Sequence, residues 1–452
     1  MDHVTIAEIG SLAAGCLKRA ERRRVFRHLL SQCPVCLPLA APFATALGGR
    51  EAPDLPEAEL AVYDAALDKA FAAVRERQRQ REKAWCDRFL AKVRERKLTG
   101  FDAIVDAMDP RMPGRAKIEA LLTLSFEARH RDPQEMRDLA AGAMASAASL
   151  NMGRAQRVLA SPAEVADIRG RVWTELANAY RRCDTFSDSE RALSTALGFL
   201  AQGTRDPLLR ARLLDVTASL RIDQRQLEEA IAYLDRAYEI YIKEGDTHRA
   251  GRALIKKGIA IHCDERPREA VPVLREGLAM LDAARDPQLL AHGQESLLHA
   301  LTDAGSYNEA SRFLLQSGLR QALAGEPLNV LKLRWVEAKI FAGQGKLRRA
   351  ESVLLDVEDG FVAAGLAYEV GLVSLERVEV LLRQGRAEEV VPVVEKALKT
   401  FEALKIGREA LRAMSFLREA CEQEAATTAL VRRVIDFLQQ LRSKPYLRFA
   451  LQ

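Results

Sequence analysis

The chain has 452 residues, of which 48% are hydrophobic, 29% charged and only 6% aromatic. Its 68 basic and 63 acidic residues leave a formal charge of +5, too little to make the molecule as a whole a polyanion binder. No apolar run approaches the ~20 residues that cross a bilayer. The N-terminus, with Asp2 and Glu8, lacks the basic and apolar zones of a secretion signal, so a cytoplasmic location is expected. At this length a single core has stopped growing, which leaves several domains or an elongated repeat array. Stretches rich in Ala, Leu, Glu and Arg favour helices, and alternating Val, Ile, Thr and Tyr runs are hard to find.

Seven cysteines, Cys16, Cys33, Cys36, Cys86, Cys183, Cys263 and Cys421, are an odd set spread along helical segments, as free thiols would be. Only Cys33 and Cys36 stand close enough to share chemistry. With His28 they form a His-x4-Cys-x2-Cys cluster, in which both thiolates and an imidazole can reach one tetrahedral ion. Spacing leaves His3 and Cys16 both open as the fourth ligand of a zinc site. The metal-free alternative packs Cys33 and Cys36 against Leu29 and Leu39. Gly15, Glu21, His28, Leu29, Cys33, Pro34 and Cys36 fall in an order that resembles the small zinc finger of anti-sigma factors. The resemblance implies structural Zn2+ held by His3, His28, Cys33 and Cys36, and leaves Cys16 in a turn. One departure is the four residues between His28 and Cys33, where that family has three; inside a helix the extra residue turns the imidazole by about 100°.

The segment "GGREAPDLPEAE" reads as a flexible joint. The run from Val74 to Lys97 holds ten basic and four acidic residues around a thin apolar stripe of Val74, Trp85, Phe89 and Val93. Such a helix is either an exposed connector with paired charges or a phosphate-contacting surface.

From there on, small or branched residues recur every 40 positions, at Ala230, Ala270, Ala310, Ala350 and Val390. Leu234, Leu274, Leu314, Leu354 and Val394 follow four residues later, then Ala237, Gly277, Ser317, Val357 and Ala397 after three more, which places each set on one helix face. Ala218, Gly258 and Ala338 lie 16 residues ahead of the leucines, where a small side chain lets two antiparallel helices approach; Leu298 breaks that pattern. Trp173, Leu176, Ala177 and Tyr180, with Ser189, Leu193 and Ala196, follow the order of the tetratricopeptide repeat, which the sequence from about 115 to 442 resembles. The period of 40 exceeds the usual 34, most simply by longer helices.

The expected fold is therefore an all-α, tetratricopeptide-like, right-handed helical-hairpin solenoid. A zinc-knuckle module occupies 1–48, a joint and basic linker helix 49–100, six to seven hairpins 115–408 and capping helices 409–452. No phosphate loop, dinucleotide turn, HExxH helix or GxSxG elbow occurs, and His130, His248, His262, His292 and His299 are scattered, so no enzyme is expected. The leading expectation is an adaptor or regulator that docks a protein or peptide in its groove near Arg181, Arg221, Lys257, Arg334 and Arg377, bases that favour an acidic or carboxylate ligand. A second reading is a transcription regulator of anti-sigma type, with a sigma factor as partner. A third is nucleic-acid binding through the 74–97 helix, which no base-reading element accompanies.

Overall fold

The computed structural model describes residues 3–13, 16–30, 33–41, 57–129, 131–150, 161–404, 408–423, 425–441 and 447–449. His130 and residues 48–56 of the joint lie outside them. Among the described residues every regular element is helical, and no helix is long and apolar enough to cross a membrane. The chain divides into two compact units, Met1–Leu220 and Arg221–Gln452.

In the first unit, α1 (Ile6–Ala13) and α2 (Arg19–Leu30) belong to the N-terminal module. They are followed by α3 (Glu57–Glu95), α4 (Phe101–Asp106), and the hairpins α5 (Gly114–Ala128) with α6 (Pro133–Ala148) and α7 (Pro162–Arg182) with α8 (Phe186–Ala201). The helix starts are written locally. Asp132 caps α6 ahead of Pro133, and Ser161 and Glu164 form a reciprocal capping box around Pro162 of α7. The basic run is the second half of α3, and it does not stand free. Cys86, Phe89, Leu90 and Val93 are buried against α4 and α5, while Arg79 and Arg94 pair with Glu164 and Glu127 of other helices at 2.9 and 2.5 Å. The apolar stripe makes this part of α3 a wall of the unit's core, with only Val74 left exposed.

The helix α9 (Pro207–Asp223) carries the unit boundary. The second unit then continues with α10 (Leu227–Lys243), α11 (Thr247–Cys263), α12 (Pro267–Ala279), α13 (Pro287–Asp303), α14 (Tyr307–Gln316), the one-turn α15 (Leu319–Ala322), α16 (Pro327–Gly343), α17 (Leu347–Ala363) and α18 (Ala367–Arg383). It ends with α19 (Val390–Ala403), α20 (Arg408–Glu422) and α21 (Thr428–Leu441). The first helices α11, α13, α16 and α18 each have 17 residues, which accounts for much of the long period.

From α9 on, the hairpin turns repeat one backbone device. The N–H groups of Gln226, Arg266, Ser306, Lys346 and Arg386 reach back to the carbonyls of Arg221, Ile261, Leu301, Phe341 and Leu381. This six-to-one bond closes a helix when the residue before the donor is left-handed. Gly305, Gly345 and Gly385 supply that conformation, and Arg225 and Glu265 adopt it despite carrying a Cβ.

The seams are buried as the spacing predicts. Ala230, Ala270, Ala310 and Ala350 are fully covered, as are Leu234 and Leu274. Gly258 shows why the facing position is small: a Cβ there would stand 2.5 Å from Leu274 Cγ. The fourth hairpin departs from the expectation. Its second helix stops at Gln316, with Ser317 as its cap and the left-handed Gly318 just beyond. Leu298 fills the seam, and α15 brings Leu319 into the space beyond the shortened helix, where it is fully buried.

Candidate functional site

Two places gather polar side chains. The first is the N-terminal module. Thr5 and Glu8 cap α1 reciprocally, with Glu8 N–H to Thr5 Oγ1 at 3.3 Å and Thr5 N–H to Glu8 Oε2 at 2.9 Å. That sets His3 just ahead of the helix. His28 lies in the last turn of α2, and Cys36 opens a short helix at 36–41. The ligand atoms of His3, His28, Cys33 and Cys36 all lie within 4.8 Å of one another. His28 Nε2 is 3.2 Å from Cys36 Sγ, and His3 Nδ1 is 3.3 Å from Cys33 Sγ and 3.6 Å from Cys36 Sγ. Around a tetrahedral zinc ion bonded at ~2.0–2.3 Å, donor atoms stand about 3.3–3.8 Å apart, so the two imidazoles and two thiols fit such an ion. Cys16, the alternative fourth ligand, is not in the cluster. Between His28 and Cys33, α2 runs two residues past the imidazole, to Leu30.

The thiols differ in environment. Backbone N–H groups of Cys36 and Val35 aimed at its sulfur, with His28 alongside, hold the Cys33 thiol down to about 6, whereas burial pushes Cys36 up. The apolar core beneath them is small: Val4, Ile9, Val25 and Cys36, fringed by Leu12, Leu17, Leu29 and Leu39. A module with so few buried side chains draws much of its stability from a bound ion where one is present. Four protein ligands leave no open position, which is the arrangement of a structural site.

The second place is the inner face of the first helices in unit 2. Counting from the seam positions Gly258, Leu298, Ala338 and Val378, the next residue is Ile259, His299, Lys339 and Glu379, and four further on stand Cys263, Asp303, Gly343 and Arg383. The frame repeats while these positions change in charge. Cys263, Asp303, Lys339, Gly343, Glu379 and Arg383 line two adjoining clefts, of about 360 and 690 Å³, which share Asp303, Asp436 and Gln439. Trp335 Nε1 donates to Glu376 Oε2 at 2.7 Å, and Lys339 Nζ stands 3.0 Å from Glu376 Oε1. His262 Nε2 meets Asp303 Oδ2 at 2.8 Å, and Arg383 donates to the Ala342 carbonyl at 2.8 Å.

Burial and neighbouring charge compete here. Burial pushes the Glu376 carboxyl up, although Lys339 opposes it; burial also works against charge on Lys339, yet Glu376 and Asp303 hold its ammonium above the usual value. Burial first and Lys339 second bring His299 down to about 4. Asp436 is pushed up by burial.

The bases singled out from the sequence lie elsewhere on the first helices. Lys257 pairs with Asp235 at 2.5 Å, Arg334 with Asp356 at 2.7 Å and Arg377 with Glu358 at 2.8 Å, each an acid on a second helix. Arg221 stands 3.2 Å from Glu229, and Arg181 donates to Asn178 at 3.0 Å. The structure does not bring these five together. Of the histidines, His262 and His299 belong to the inner face, and His248 Nδ1 accepts the Asp282 N–H at 3.1 Å. The inner-face residues had a usable signal in the sequence, namely charge that varies at two fixed offsets from the seam.

Fold and sites together define an all-helical hairpin-repeat protein. No protein-family model matches the chain, and no curated protein matches it; the zinc-finger resemblance of the N-terminus thus finds no support among family models. Solved structures are similar at low identity. A Rap protein complexed with competence and sporulation factor is 10% identical, over 73% of this chain and 88% of that one, at a TM-score of 0.49. NprR in complex with its cognate peptide NprX is 15% identical, over 73% and 89%, at 0.39. A tetratricopeptide repeat protein from Parabacteroides merdae is 15% identical, over 67% and 99%, at 0.39.

Proposed function

We propose that the chain is a non-enzymatic adaptor or regulator that binds a protein or peptide partner on the inner face of its second unit. The observation that supports this is the contrast between a repeating frame and a non-repeating strip. Seam residues and turn bonds recur every 40 residues, while His299, Lys339 and Glu379, with Asp303 and Arg383, differ from one hairpin to the next. Uniform packing residues build a rigid scaffold, and varied polar groups upon it discriminate between partners through complementarity. Affinity capture from cell extract tests the reading. The full chain should retain a partner that the double variant Asp303→Asn, Arg383→Gln loses, with both proteins equally folded; equal recovery by both would refute it.

The N-terminal module supports a second element of the proposal, a structural Zn2+ held by His3, His28, Cys33 and Cys36. The convergence of these four ligands also favours the anti-sigma reading, in which this module engages a sigma factor. Recovery of a sigma factor that is lost on deleting residues 1–100, and kept by the inner-face variant, would establish that alternative.

A further inference from the structure

The last helix, α21, does not take the place that its order in the chain assigns to it. As the second helix of the final hairpin it would extend the layer of second helices beside α19; instead it packs chiefly on α18, a first helix. Its polar face consists of Arg432, Asp436, Gln439 and Gln440, which helical spacing puts on one side. In a solenoid the outer face of an end cap turns its polar side to water. Here that polar side roofs the clefts of the inner face. The Arg432 guanidinium donates to Glu379 at 2.9 and 2.6 Å, and the Gln440 amide donates to Glu265 at 2.8 Å, across 175 residues of chain. The Leu438 carbonyl accepts from Tyr368 Oη at 2.8 Å. The opposite face, with Val431, Val434 and Leu438 fully buried, packs into the core of the last hairpins.

We propose that α21 is an intramolecular occupant of the inner face, holding the place of a helix supplied by the partner. This rests on the inner face being the partner site. The partner's helix is then amphipathic and carries a base one turn ahead of an acid, as Arg432 stands to Asp436, with an amide one turn later. Being on the same chain, α21 has an effective concentration in the millimolar range, so the partner binds only when it outcompetes that tether or when α21 is released.

The test uses the full chain and, as probe, a fluorescein-labelled synthetic peptide of residues 426–441. The variant Arg432→Glu, Gln440→Glu sets carboxylates against Glu379 and Glu265. In this variant the α21 amides should exchange at least about tenfold faster while α11–α18 stay protected, and the peptide should bind at least about tenfold more tightly than to the native chain. Adding Glu379→Arg sets opposite charges against each other again between α21 and α18, so it should re-protect the α21 amides and weaken peptide binding toward the native level. Should the double variant not fold, Arg432→Gln gives the same comparisons with smaller changes. Loss of protection in α18 and α20 together with α21, or equal peptide binding by native and variant chains, would overturn the proposal and make α21 a cap. If the peptide fails while the Asp303→Asn, Arg383→Gln variant still loses its partner, only the occupant idea falls; if that variant keeps its partner, the inner-face reading falls as well.

Discussion

Replacing Gly258 by Ala tests the close approach that the seams depend on. In an open helix the change stabilises, because Ala is favoured over Gly by ~1 kcal/mol. At Gly258 the new Cβ would lie 2.5 Å from Leu274 Cγ and 2.7 Å from its Cδ2. The Cγ is a branch point and not the free end of a flexible chain, so either Leu274 leaves its rotamer or α12 shifts. Overpacking of this kind costs about 1–3 kcal/mol, which leaves a net loss of up to about 2 kcal/mol. Gly198 in α8 is the control, since a Cβ there meets nothing within 4 Å; Gly198→Ala should stabilise by ~0.5–1 kcal/mol. The assay is native-state hydrogen exchange read separately over α11–α12 and α7–α8, because a chain of two units need not unfold in one step. In a Leu274→Ala background the clash is absent, and Gly258→Ala should return to a gain. Equal stabilisation at both glycines would refute the seam argument, as would additivity of Gly258→Ala with Leu274→Ala.

Further outcomes follow from the sites. The purified chain should carry one zinc ion, lost in His3→Ala and Cys36→Ser and kept in Cys16→Ser, as metal analysis would show; zinc retained by His3→Ala would remove that residue from the ligand set. Burial holds His299 down to about 4, below its ordinary 6.5, so the unfolded chain binds a proton that the folded chain refuses between those values. Stability contributed by neutral His299 is therefore present above pH 6.5 and declines as the pH falls toward 4, by up to about 3 kcal/mol. His299→Gln should flatten this slope in denaturation measured from pH 7 to 4, and an unchanged slope would contradict the buried position. Because the basic half of α3 is packed and ion-paired within unit 1, duplex DNA and single-stranded RNA should give no mobility shift at physiological salt; a shift abolished by Arg75→Ala, Arg77→Ala would reopen the nucleic-acid reading.

Much of the fold was legible because the repeat uses the same small residues for the same steric reason each time. Ala230, Ala270, Ala310 and Ala350 mark helix faces that must touch, and the 40-residue spacing carries through to the turn bonds that end at Gln226, Arg266, Ser306, Lys346 and Arg386. The gathering of His28, Cys33 and Cys36 was legible in their short spacing, and the capped start of α1 brings His3 to them. What could not be read was long-range. Lys257, Arg334 and Arg377 are on the first helices like Lys339 and Arg383, but they point to acids on second helices, a difference of rotation about the helix axis that depends on where the neighbours pack. The course of α21 was equally hidden, since an amphipathic helix with an apolar stripe fits a second-helix layer as well as it fits the inner face. The shortening of α14 was partly legible in Leu298 and in Gly318, whose left-handed backbone follows the end of that helix.

The most direct measurement of the central claim places a photo-crosslinking residue at Asp303 or Arg383 on the inner face, and separately at Leu315, which is 70% exposed on α14. Illumination in cells should join a protein partner to the chain from positions 303 and 383 and not from 315. Crosslinking from 315 and from neither 303 nor 383 would contradict the account.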